Sequence, residues 1–263
     1  MEIINRDHFV DAEIIKMSKL FHKAEPYKNL VIDNFLDQSF VTKLYEKFPA
    51  YDKLSKPYKG LNEYKAEGSN FDDFHPYFFL LKEAMNEERF YKWLSLITGV
   101  EKVFSTDDKL GAGIHQGING SFLDIHIDFN IHPKLNLHRR LNLLIYLQKD
   151  WSQEYNGALE LWNSDVTKCE KYIEPIFNRC VVFETNDISY HGYTQKINVP
   201  EGVTRKSFYA YYYTIERDQS SSYHDTIFRA LPQSSRHKKI STYLKENFKN
   251  TIKSVLKKAG IVL

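Results

Sequence analysis

Apolar residues in the first third of the chain return at helical spacing. Ile14, Ile15, Met17, Leu20 and Phe21 form one set, Phe40, Val41, Leu44 and Phe48 follow the capping candidate Ser39, and Phe78, Leu80, Leu81, Ala84, Phe90 and Trp93 form a third. The spacing predicts helices over 8–23, 39–48 and 76–97, with a short strand at 30–32. Residues 52–73, rich in Lys, Tyr, Gly and Asn without a sustained period, read as a loop. From about Glu101 the pattern shortens to β-branched and aromatic runs broken by Gly, Asn and Pro, as in an all-β sandwich or barrel. The runs lie at 103–105, 113–116, 123–128, 140–148, 158–163, 176–185 and 205–215, and seven or eight such strands fit a jelly roll.

Near the C-terminus Ile240, Leu244, Phe248, Ile252, Val255 and Leu256 fall on one helical stripe, with lysines on the other faces. This predicts a packed amphipathic helix with a solvated basic face; contact with nucleic acid or an anionic surface is the alternative. The net charge of +2 divides into +7 for the last 47 residues and −5 for the rest. No Pro/Gly/Ser-rich linker separates these regions. The chain therefore reads as a single domain over 1–263, with helical support over 1–100, a β core over 101–216 and a helical extension over 217–263.

Composition narrows the class. With 42% hydrophobic and 15% aromatic residues in 263, the chain is not collagen-like, coiled-coil or low-complexity, and it is long enough to bury a core without staples. A charge so near neutral announces neither a membrane nor a nucleic-acid partner, and no run approaches the roughly 20 apolar residues of a membrane span. The N-terminal residues lack the pattern of a secretory signal, so the expected location is cytoplasmic. Cys169 and Cys180 are too few for a disulfide framework or a cysteine zinc site.

The chemistry centres on His126-Ile127-Asp128. On a strand, residues two apart share a face, so an imidazole and a carboxylate project side by side. His191, in Ser189-Tyr190-His191-Gly192, supplies a second imidazole shortly after the run at 176–185. Two histidines and one carboxylate make the facial set that holds iron(II) with positions left open. Arg205 opens the run at 205–215, and alternation puts Arg205, Ser207, Tyr209, Tyr211 and Tyr213 on one face. A guanidinium with a hydroxyl beside it suits a carboxylate. The same parity groups Arg140, Asn142, Leu144, Tyr146 and Gln148, a polar face turned either into a pocket or to solvent. His115 or Gln116 is a candidate substrate contact, the segment 130–139 with His132 and His138 a candidate flap with solvent-exposed histidines, and the run Tyr211-Tyr212-Tyr213 a packing element of both sheet faces.

Taken in order, His126-x-Asp128, the stretch from Leu143 to Trp151, Asn156-Gly157-Ala158-Leu159-Glu160-Leu161, the stretch from Pro175 to Phe183, His191-Gly192 and Arg205-x-Ser207 resemble the iron(II)/2-oxoglutarate-dependent oxygenases of the prolyl-hydroxylase type. The resemblance covers about residues 100–215, and the stretch from Leu30 to Leu36 resembles the lead-in segment of that family. It implies a mainly β fold, a double-stranded β-helix of jelly-roll or cupin-like type, flanked here by N-terminal helices and a basic C-terminal helix. It implies His126, Asp128 and His191 as iron ligands and Arg205 as the holder of the distal carboxylate of 2-oxoglutarate, helped by Tyr146 and Ser207. Asn142, on the polar face beside Tyr146, joins these as a cosubstrate contact. The cofactors so implied are Fe(II), 2-oxoglutarate and O2, with ascorbate keeping the iron reduced. The reaction would hydroxylate an unactivated C–H bond of a small-molecule or amino-acid-type substrate, releasing succinate and CO2. Many relatives have Gly-Gly at Asn156-Gly157 and Asn at Gln148. The presence of Asp128 argues against the halogenating branch. A non-catalytic metal-binding β-sandwich, or a hydroxylase of a protein or other macromolecule, is the alternative.

Overall fold

The computed structural model describes residues 2–54, 56–215 and 222–258. The chain runs through α1 (Asp11–Lys23), β1 (Asn29–Ile32), α2 (Gln38–Glu46), β2 (Lys56–Lys59), β3 (Glu63–Gly68), α3 (Pro76–Met85) and α4 (Glu88–Thr98). The β region follows as β4 (Ala112–Gly117), β5 (Phe122–Ile127), β6 (His138–Tyr146), β7 (Leu159–Trp162), β8 (Cys169–Ile173), β9 (Cys180–Glu184), β10 (His191–Tyr193), β11 (Arg205–Thr214) and β12 (Ile227–Phe228), before α5 (Arg236–Lys258).

Among the described residues every strand pairing is antiparallel. The hydrogen-bonded order is β1-β9-β6-β11-β4-β3-β5-β10-β7-β8, with β2 on β3 and β12 on β5. It divides into a larger sheet, β1-β9-β6-β11-β4, and a smaller one, β5-β10-β7-β8, bridged by β3. This is the double-stranded β-helix core that the resemblance implied. Alternation gives the larger sheet two apolar faces. Leu141, Leu143 and Ile145 of β6 join Phe208 and Tyr212 of β11 in a core capped by Phe21, Phe40, Phe78 and Trp93 of the helices. Tyr146, Val181 and Phe183 point the other way and pack with Leu159 and Leu161 of the smaller sheet. Burying side chains of this size contributes about 1.5–3 kcal/mol each before chain entropy is charged. No helix among the described residues is long and apolar enough to cross a membrane.

Several expectations need correction. The predicted helix over 76–97 is two helices, broken where Asn86 leaves helical geometry with ψ near 1°. The cap of α2 is Asp37, whose carboxylate accepts from the amides of Ser39 and Phe40. Residues 52–73 are no loop: they hold the β2–β3 hairpin, whose second strand, β3, pairs with both β4 and β5. Its polar side chains find partners within the hairpin and beyond it, Lys65 beside Glu63 and Glu67 and Glu67 also on His115 and Tyr209, so no apolar alternation marked it. The apolar stripe of α5 faces outward, with Ile240, Leu244, Phe248 and Val255 exposed, because a polar face makes the contacts to the body. Residues 217–221 and 259–263 of the predicted extension lie outside the described residues.

Candidate active site

β5 carries His126, and Asp128 stands just beyond its end; β10 lies beside β5 with His191 directly opposite His126. That approach requires Gly192. A Cβ there would meet the backbone oxygens of Leu123 and Asp124 at 2.7 and 2.9 Å, closer than side chains tolerate. The outer edge of β5 is covered by β12, whose Phe228 ring sits 5.2 Å from the His126 ring.

One donor atom from each of His126, Asp128 and His191 falls within 4.8 Å of the others. Both imidazoles turn Nδ1 to a backbone carbonyl, that of Asp124 for His126 and of Ser189 for His191, each at 2.9 Å. A carbonyl only accepts, so Nδ1 carries the proton and Nε2 presents its lone pair to the centre. Burial, and then the neighbouring His191, push the His126 pKa down to about 3, which keeps the ring neutral. Asp128 is ionised. Burial alone would raise its pKa, but Arg139, followed by His191, holds it well below the usual carboxylate range. Arg139 Nη2 donates to Asp128 Oδ2 at 3.1 Å and Asn142 Nδ2 donates to the same oxygen at 2.7 Å. Arg139 also donates to Asn142 Oδ1 and lies against the Tyr211 and Phe129 rings at 3.5 and 4.6 Å. Oδ1 is left 3.8 Å from His126 Nε2.

Arg205 occupies the opposite end. Its Nε donates to the Gly157 carbonyl at 2.8 Å and its Nη2 to the Tyr146 hydroxyl at 3.3 Å. The guanidinium lies 4.5 Å from the Tyr193 ring and 5.0 Å from the Tyr146 ring. Burial pushes the Tyr193 pKa up to about 12, so it stays a neutral phenol under a cation. Gly157 has φ +77°, and a Cβ would press on the Arg205 side chain at 3.1 Å. A cavity of about 70 Å³ joins the two ends, lined by His126, Asp128, His191, Arg205, Ser207 and Asn142 among others.

Other candidates fall differently. Arg139, not Arg140, enters the site, because the pairing of β6 with β11 slips at Tyr212–Tyr213 and breaks the parity. Arg140 instead donates to Thr214. Gln148 is structural, accepting from the Lys206 amide and donating to the Pro175 carbonyl. His115 lines the cavity, stacked on Tyr209 and paired with Glu67, whereas Gln116 donates to Thr204. His132 is fully buried on Asp108, contrary to the expectation of an exposed flap histidine. Lys65 of the hairpin also reaches the cavity wall. Neither Arg139 nor Lys65 was signalled by spacing.

Residues 112–213 match the model of the 2OG-Fe(II) oxygenase superfamily. Prolyl 3-hydroxylase OGFOD1 of Mus musculus is 24% identical over 194 residues, 72% of this chain but 33% of its own length. The chain thus spans about a third of that relative. In solved structures it resembles a Pseudomonas putida prolyl-4-hydroxylase, with TM-score 0.56, 16% identity and 75% and 98% of the two chains covered. It also resembles a 2OG-Fe(II) oxygenase family oxidoreductase from Burkholderia pseudomallei, with TM-score 0.52, 10% identity and 78% and 91% covered. Residues 112–213 thus resemble the 2OG-Fe(II) oxygenase superfamily, and the relative and the Pseudomonas putida structure that the chain is similar to are prolyl hydroxylases, in line with the ordered motifs. Fe(II), 2-oxoglutarate and O2 are the cofactors of that superfamily, and the His-Asp-His donor set fits the metal.

Proposed function

We propose that this protein is an iron(II)- and 2-oxoglutarate-dependent dioxygenase that hydroxylates an unactivated C–H bond of an amino-acid-type substrate, with a prolyl group as the leading case. The observation that carries this reading is the single cavity with the triad at one end and a buried, ring-clamped Arg205 at the other. A structural metal site has no need of that arginine. The prolyl assignment draws support from the names of the relatives. Residues 1–263 are taken as one oxygenase unit, and the unpaired Cys169 and Cys180 accord with a reducing, cytoplasmic setting.

Bound iron with 2-oxoglutarate and O2 supplies the oxidising power, with succinate and CO2 as co-products. The chain supplies the rest. His126 and His191 offer Nε2 lone pairs in one fixed tautomer, and Asp128 offers Oδ1 while Arg139 and Asn142 hold Oδ2. Arg205 would meet the distal carboxylate of 2-oxoglutarate, with the Ser207 and Tyr146 hydroxyls beside it; Asn142 is assigned to Asp128 before the cosubstrate. Leu123, Leu144, Leu159 and Phe183 supply the apolar part of the cavity wall, which strengthens the charge contacts beside it.

The test is turnover of 2-oxoglutarate with iron and ascorbate, scored as succinate and as substrate gaining one oxygen, across free amino acids and proline-containing peptides. Product from a prolyl compound supports the reading, and the form preferred decides between small molecule and peptide. Tight metal binding with neither 2-oxoglutarate binding nor turnover would establish the non-catalytic alternative instead.

A further inference from the structure

Helix α5 buries the wrong face for an ordinary amphipathic helix. Ile240, Tyr243, Leu244, Phe248 and Val255 are 59–71% exposed, at 60, 68, 60, 71 and 59%. Thr242 and Glu246 are the buried positions. The contacts that hold the helix are polar: Asn62 donates to Thr242 Oγ1 at 3.0 Å, Lys238 to Asp124 Oδ1 at 2.8 Å and Lys253 to Asp225 Oδ2 at 2.6 Å. The amide of Phe228 donates to Glu246 Oε2 at 3.3 Å. These bonds fix the rotation of the helix, so the apolar stripe is held outward by design of the packing face. Ile240, Leu244, Phe248 and Ile252 recur every four residues along it, a run of about 18 Å. A contiguous apolar surface of this extent marks an interaction site.

Charge selects the occupant. Exposed Lys239 and Lys245 flank the stripe on its two sides and Arg236 stands at its start, whereas Glu246, the single acid in the sequence of α5, is buried and paired with Lys249. A second copy laid face to face would set lysine against lysine with no carboxylate between them. A nucleic-acid backbone would meet the lysines and leave the apolar stripe in water. An anionic bilayer satisfies both, accepting apolar side chains among its acyl chains and ammonium groups at its phosphates. We propose that α5 docks this protein onto an anionic lipid surface, with the Ile240–Leu244–Phe248 stripe inserted and Lys239 and Lys245 at the headgroups. The proposal is independent of the oxygenase chemistry.

Co-sedimentation of the full chain with vesicles tests it. Phosphatidylcholine vesicles containing roughly a third phosphatidylserine should retain the protein, pure phosphatidylcholine should not, and retention should fall steeply with salt. The double variant Leu244→Ser/Phe248→Ser, altered at exposed positions and checked for unchanged Tm, should bind about tenfold or more weakly. Lys239→Glu/Lys245→Glu should lose the preference for phosphatidylserine. Absence of binding to the anionic vesicles, or full binding by Leu244→Ser/Phe248→Ser, overturns the proposal. So does a stable dimer by light scattering that this variant dissociates, since the face would then belong to a second copy.

Discussion

One carboxylate oxygen, Oδ2 of Asp128, takes hydrogen bonds from both Arg139 and Asn142, and the charge of that group depends on them. Arg139→Met should strip a buried carboxylate of its partner and cost about 3–5 kcal/mol, read by denaturant unfolding. The folded pKa of Asp128 lies below its unfolded value, so its pairing stabilises the protein above the ordinary carboxylate range and is lost as pH falls. Removing Arg139 raises that pKa, so metal affinity in Arg139→Met should fail at a higher pH than in the wild type, measured by metal titration across a pH series. At the other end, Arg205→Ala should weaken 2-oxoglutarate binding by roughly thirtyfold or more, from the about 2–5 kcal/mol of a desolvated charge pair. Tyr146→Phe should cost about 1 kcal/mol. Calorimetry giving equal losses for the two would count against the clamp.

Between elements, the site depends on how near β10 comes to β5. Gly192→Ala puts a methyl against the Leu123 and Asp124 carbonyls, which belong to backbone and cannot swing aside. The expected result is a folded protein, with near-normal circular dichroism and a Tm lower by several degrees, that binds metal at least tenfold more weakly because His191 is displaced from His126. Normal metal affinity in this variant would show that β10 has slack. The motif His191-Gly192 was legible in the sequence, but the reason for its glycine was not. Likewise the spacing of His126 and Asp128 carried the pair, whereas Arg139 was hidden by a slip in strand pairing that no local pattern announces.

For the molecule as a whole, the hairpin β2–β3 adds a pH response. Burial, with Lys65 next, pushes His115 down to about 4 while Glu67 accepts from it and from Tyr209. His115 and His126 are thus both neutral in the fold but titrate near 6.5 when unfolded. The unfolded chain binds their protons first, so stability should be full above pH 6.5 and decline progressively toward about pH 4, as followed by Tm. His115→Phe should flatten part of that decline. A Tm unchanged across this window would mean that the two rings are charged in the native state.

The order of chemistry along the chain, His126-x-Asp128, then His191, then Arg205, together with the change from helical to strand periodicity near Glu101, was settled by sequence alone. These features rest on local rules, the side-chain period of an element and the chemistry of its residue types. Tertiary structure decided what local rules leave degenerate. It chose Arg139 over Arg140 by a slip in register, and it made strands of polar residues 63–68, whose partners lie on β4 and β5, and of 56–59, which pair with 63–68 in turn. It turned the apolar stripe of α5 outward because polar contacts to Asn62, Asp124 and Asp225 outweighed the stripe in fixing the rotation of the helix. An amphipathic pattern states which residues share a face, but only the surface offered by the rest of the chain determines which face is buried.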